Sequence, residues 1–200
     1  MRLRWKLAGL GLVAFALAGC ATFEAPTRSN PQNGAIFGYF DIPSDSYGYL
    51  QALSIMQSGH GIRPYLGIPT DVRYITRGEA FFAYDAEPGQ YAVTGIYTDG
   101  GGLLGSTQYQ LTIVDSKLWY EGTDTKVIKE NLFTVKPGEL YYFGAERVYK
   151  GKQPGLFSNG SFSIGPETSV TEKEVLEKLL PSLKGTPWDE PARELIASLK

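Results

Sequence analysis

"EAFFAYDAEPGQYAVTGIYT", residues 79–98, decides the fold. Residues 79–86 and 90–98 are rich in Phe, Tyr, Val, Ile and Thr and have the length of strands. Glu87-Pro88-Gly89 separates them. Proline presets φ at the first central position of a turn and glycine supplies a positive φ at the second, so the break reads as a type II turn. Just upstream, Arg77-Gly78 reads as a hairpin turn between "DVRYIT" (71–76) and "EAFFAYDA" (79–86). Downstream the second run ends in Asp99-Gly100-Gly101-Gly102.

Working outward, the same punctuation continues. "AIFGYFDI" (35–42) puts Ile36, Gly38, Phe40 and Ile42 on one face. "LQALSIM" (50–56), "STQYQLTIVDS" (106–116), "VIKENLFTV" (127–135), "ELYYFGAERVYK" (139–150) and "LFSNGSFSIG" (156–165) complete the set. The Pro-Gly-x-(x)-Tyr phrase of 86–93 returns as "VKPGELYYF" at 135–143. Eight or nine short strands between Gly34 and about Pro166, with no helix between them, predict a mainly β chain, an antiparallel β-sandwich over residues 34–166.

At residues 167–200 the period changes. Thr171-Glu172-Lys173-Glu174 has the form of a capping box. Val175, Leu176, Leu179, Leu180 and Leu183 then share a helical face, limited by Pro181 and Gly185. Asp189 reads as the cap of a second helix, with Pro191 in its first turn and Ala192, Leu195, Ile196 and Leu199 as its stripe. Trp188 stands at the entry, placed to staple the helices to the sandwich.

The N-terminus has a different character. Arg2, Arg4 and Lys6 precede an uncharged apolar run from Leu7 to Ala18. This is a secretory signal pattern, shorter than the roughly 20 residues that cross a bilayer. It ends in Leu17-Ala18-Gly19-Cys20, which resembles the lipobox of bacterial lipoproteins. The resemblance implies a signal peptide over 1–19, lipid on Cys20 through its thiol, and an acylated amine after cleavage. Ala21, in place of Asp, implies sorting to the outer membrane of a diderm bacterium. Residues 20–33 read as the lipidated cysteine and a flexible tether, from their Pro, Ser and Asn content.

Cys20 is the single cysteine, so no intrachain disulfide is available and stability rests on packing. Removing 19 residues from 200 leaves 181, and removing three cations from 19 leaves 16 against 21 acids, a formal charge of −5 with the amine acylated. No basic patch appears, which argues against nucleic acid as a partner.

The plan as a whole is similar to small bacterial lipoproteins of unknown function that carry a transthyretin-like, carboxypeptidase-regulatory-like sandwich. The elements shared are the lipobox, an opening strand "GAIFGYFDIP", the phrases "YDAEPGQY" and "VKPGELYYFG", and a helical tail. The likeness implies fold and location and carries no catalytic residues.

Chemistry-bearing motifs are sparse. His60, the single histidine, sits in "SGHG" and reads as a turn residue. A Ser-His-Asp or Cys-His triad would have to use it. There is no G-x-S-x-G elbow, C-x-x-C or H-E-x-x-H, so no metal and no cofactor are expected. "TDGGGLLGS" (98–106) lacks the P-loop Lys and leads into no helix. Carboxylates are more numerous: Asp85 and Glu87 bracket a strand end, Asp115 and Glu121 flank "SKLWY", and Asp45, Asp71, Asp99 and Asp124 sit in apparent loops. A facing pair would suit a glycan-directed hydrolase. Trp119-Tyr120 is the candidate binding patch. The expected function is a non-catalytic binding or structural module, anchored in the envelope by acyl chains and meeting an envelope protein or glycan. The alternative is a carboxylate-dependent envelope hydrolase.

Overall fold

Two strands are apolar at nearly every position, and that dictates the layering. In β1 (Gly34–Asp41), Ile36 and Phe40 enter one core while Ala35, Phe37 and Tyr39 enter another. In β6 (Ala80–Ala86), Phe81 and Ala83 join the first, and Ala80, Phe82 and Tyr84 the second. Successive strand side chains face opposite sides, so such strands must be covered on both. A second sheet covers one face and two helices cover the other. The computed structural model describes residues 25–43, 49–58, 64–65, 68–69, 72–99, 108–113, 131–152 and 161–199.

The protein is mainly β, a sandwich-like pair of sheets with two C-terminal helices. The five-stranded sheet runs β11 (Phe162–Pro166), β10 (Leu140–Lys150), β1, β6, β5 (Arg73–Arg77). The four-stranded sheet holds β2 (Tyr49–Gln57), β7 (Gly89–Asp99) and β8 (Gln108–Thr112), with β9 (Phe133–Val135) on β7 beside β8. A small ribbon pairs β3 (Pro64–Tyr65) with β4 (Ile68–Pro69). Between the sheets lie Ile36, Phe40, Leu53, Ile55, Tyr91, Val93 and Ile96.

The hairpin of β5 and β6 forms with Gly78 at φ 61°, as Arg77-Gly78 predicts. One pairing departs from the antiparallel pattern. β1 and β10 run parallel, from Ala35 opposite Leu140 to Asp41 opposite Arg147. A parallel neighbour needs a crossover, and here all the strands from β2 to β9 lie between the two in sequence.

The two Pro-Gly phrases turn out to share a job. Glu87-Pro88 carries the chain from β6 in one sheet to β7 in the other, and Lys136 to Glu139 carries it back from β9 to β10. They do so differently. Gly138 has φ 71°, as a type II turn requires, whereas Gly89 has no positive φ and already belongs to β7. The positive φ of the first corner falls on Asp85 (φ 61°) instead. A Cβ at Gly89 would lie 2.6 Å from Gln57 Nε2, a contact that the end of that flexible side chain can relieve by shifting. The Tyr91 hydroxyl donates to Glu87 O at 2.7 Å, locking the corner by the same device as the tyrosine corner of β-sandwiches.

Helix α1 (Glu172–Leu183) opens with the predicted capping box: Thr171 N donates to Glu174 Oε2 at 2.8 Å and Glu174 N to Thr171 Oγ1 at 3.3 Å. Val175, Leu176, Leu179 and Leu183 are buried against the five-stranded sheet. Pro181 does not end this helix; its missing N–H falls in the last turn, and Gly185 (φ 75°) follows as the breaker. In α2 (Asp189–Ser198) the cap position belongs to Trp188, not Asp189. The buried indole fixes the boundary, and the Asp189 carboxylate accepts from Gly185 N at 3.0 Å and Arg193 Nε at 2.7 Å.

Candidate functional site

Both corners lie at one end of the sandwich, and residues 25–33 run across it. A flexible tether was expected over 20–33; the described part of it is held at every turn. The Trp188 indole N–H donates to Thr27 O at 2.9 Å, and the Arg28 guanidinium lies over the same ring, 4.9 Å from its centroid. Phe82 meets that ring edge-on from the sheet. Arg28 Nε donates to Asn33 O at 3.0 Å, and Gly138 N, in the second corner, donates to Gln32 O at 2.8 Å.

Asp85 pins this strap to the first corner. Its Oδ1 accepts from Ser29 N at 2.7 Å, Ser29 Oγ at 2.9 Å and Asn33 Nδ2 at 2.8 Å. Asp tolerates the left-handed region better than most residues, so the conformation that aims this carboxylate is inexpensive. Burial pushes its pKa up, but the bonds from Asn33 and Ser29 and the charge of Arg73 outweigh that and hold it below the ordinary 3.8. Asp85 and Glu87 do line one polar cavity of about 190 Å³, together with Gln57, Arg73 and Tyr91. A carboxylate with three donors and a lowered pKa is a structural pin and a poor proton donor.

The second site arises from an irregularity in β10. Phe37 pairs with Tyr142 but Gly38 pairs with Gly144, which leaves Phe143 as the extra residue of a bulge. Gly144 sits at φ 123°. Opposite it, a Cβ on Gly38 would lie 2.8 Å from the Phe81 ring and 2.9 Å from Gly144 O, so the bulge is built on two glycines. The bulge shifts the phase of the strand. Tyr141 and Phe143 face the other sheet, Ala145 faces the helices, and Glu146 and Val148 face the other sheet again.

Glu146 therefore lines a pocket of about 190 Å³ between the sheets, beside Phe40, Val93, Ile113, Phe143 and Ile164, with Asn131 also on the wall. Burial raises its pKa above the ordinary 4.5. It makes no hydrogen bond or ion pair among the described residues. Arg147, next in sequence, faces away and pairs with Asp41 and Glu167, the latter at 2.7 Å.

The sequence does not single out Glu146, although a glycine inside a strand, here Gly144, is a bulge signal. Of the residues it does single out, Leu17, Ala18, Gly19, Cys20, Asp45, His60, Asp71, Asp115, Trp119, Tyr120, Glu121 and Asp124 lie outside the described residues. Asp99 closes β7, and its side chain is likewise outside them. Among the described residues, no group of three His, Cys, Asp or Glu is placed to hold a metal ion, and no helix is long and apolar enough to cross a membrane. Comparison with protein-family models, curated proteins and solved structures gives no match to this chain.

Proposed function

We propose that this chain is a lipid-anchored envelope protein that works as a non-catalytic binding or structural module at a membrane surface. The observation that carries the reading is Leu17-Ala18-Gly19-Cys20 after a basic start and an apolar run. A thiol accepts the diacylglycerol, and two or three acyl chains anchor stably where one is marginal. The pinned strap adds a geometric consequence. Ala25 lies five residues beyond Cys20, so at most about 18 Å of chain separates the lipid from the folded body. The anchor then leaves the domain beside Trp188, and the sandwich rides close to the bilayer.

The disposition of carboxylates supports binding over hydrolysis. Paired-acid hydrolysis needs one carboxyl kept protonated beside a second one. Asp85 is held ionised beside Glu87, and Glu146 is the one carboxylate among the described residues of its pocket. Mass spectrometry of the membrane-extracted protein tests the anchor. The expected mature form begins at an acylated Cys20, and Cys20→Ser stays uncleaved. A mature form that begins elsewhere overturns the reading. If Asp85→Asn or Glu87→Gln abolishes function in a folded, anchored protein, the hydrolase reading replaces this one.

A further inference from the structure

Among the described residues of its pocket Glu146 is the charged group, Asn131 is polar, and Phe40, Val93, Ile113, Phe143 and Ile164 are apolar. A carboxylate against Phe40, Phe143, Val93 and Ile164 loses hydration and gains nothing in return until a donor or an opposite charge arrives. The fold nevertheless commits a bulge and two glycines to this orientation; without the bulge, Ala145 would face the pocket. Drug-sized ligands occupy roughly 300–1,000 Å³, so a pocket of about 190 Å³ selects something smaller.

We propose that the pocket binds an aliphatic ammonium, its methylene stem against Phe40, Phe143, Val93 and Ile164 and its NH₃⁺ on the Glu146 carboxylate. The cation supplies the donors that Glu146 lacks, and the phenyl faces favour a cation beside them. An uncharged stem of the same length leaves the carboxylate unpaired, and an anion is repelled. The inference deepens the binding reading by naming the ligand chemistry, and it stands apart from the lipid on Cys20.

The test uses methyl NMR of the full chain in detergent, titrated with n-butylammonium. A ligand of about five heavy atoms binds in the millimolar range. Saturable shifts are expected at the methyls of Val93, Ile113 and Ile164. Glu146→Gln should weaken binding by about tenfold or more, with its other methyl signals unmoved. 1-Butanol, of the same length and neutral, serves as the control on the wild-type chain, so the outcome does not hang on one variant folding. Binding of 1-butanol as tight as that of n-butylammonium overturns the proposal. So does an unchanged affinity in Glu146→Gln, or the absence of any saturable shift. Nα-acetyl-lysine N-methylamide separates the sources. Its binding alongside n-butylammonium assigns the pocket to a lysine side chain, and its exclusion assigns it to a free amine.

Discussion

Two half-buried carboxylates stand in opposite circumstances. Asp85 receives three hydrogen bonds and faces Arg73, and its pKa is lowered. Glu146 has no partner among the described residues, and its pKa is raised. Both owe their aim to an irregular backbone, a positive φ at Asp85 itself and the Gly144 bulge two residues before Glu146. The difference teaches that backbone irregularity alone does not mark function. One irregularity is spent on closing the fold, the other on leaving a charge unmatched.

The largest expected effect comes from Trp188→Ala, which removes the fully buried ring beneath Arg28 and the bond to Thr27 O. It should cost about 3–5 kcal/mol in chemical denaturation. Hydrogen exchange at Ser29 should rise as the strap loosens. Continued protection there would show that Asp85 and Gly138 hold the strap without Trp188. Asp85→Ala comes next, at about 1–2 kcal/mol, because its charge-assisted bonds are partly screened by solvent. If it proves neutral, the contrast between the two carboxylates collapses. Glu146→Leu should go the other way and raise stability by about 1 kcal/mol, since an apolar side chain suits those walls better than a lone carboxylate. A loss of stability there would mean that Glu146 has a structural partner.

The smallest effect is in the pH dependence, and its sign separates the two. A carboxyl with a depressed pKa contributes stability above its unfolded value, lost as pH falls through the folded one; this is Asp85. A carboxyl with a raised pKa carries a penalty above its folded value, relieved as pH falls through it toward 4.5; this is Glu146. Urea midpoints measured between about pH 6 and pH 3 should therefore fall less steeply in Asp85→Asn and more steeply in Glu146→Gln than in the wild type. Parallel curves for all three would refute the assignment.

What was legible in the sequence was local. Alternation along 35–42 and the Pro-Gly breaks revealed the strands, and the helices announced themselves through Thr171, Glu174 and a 3.6-residue stripe. What stayed hidden depends on partners far along the chain. The strap over 25–33 has the composition of a linker, and distant partners make it structural: Asp85, 56 residues from Ser29, Trp188, 161 residues from Thr27, and Gly138, which bonds Gln32. At the first corner, positional chemistry pointed to Gly89, but the positive φ went to Asp85. Glu146 was hidden because the Gly144 bulge inverts the phase of β10, and a period-2 reading assumes an unbroken strand.

The parallel seam between β1 and β10 also governs time. β1 lies inside its sheet, yet the neighbour that completes it arrives only with Leu140 and the residues after it. Sheets assembled from such distant segments form slowly, in about milliseconds to seconds. Throughout that interval "AIFGYF" (35–40) is an uncharged, two-sided apolar strand with an open edge. Such a segment invites pairing with another copy of itself. The nascent chain is therefore open to aggregation at its future centre, and a chaperone that covers residues 35–40 until β10 is made would delay misassembly there.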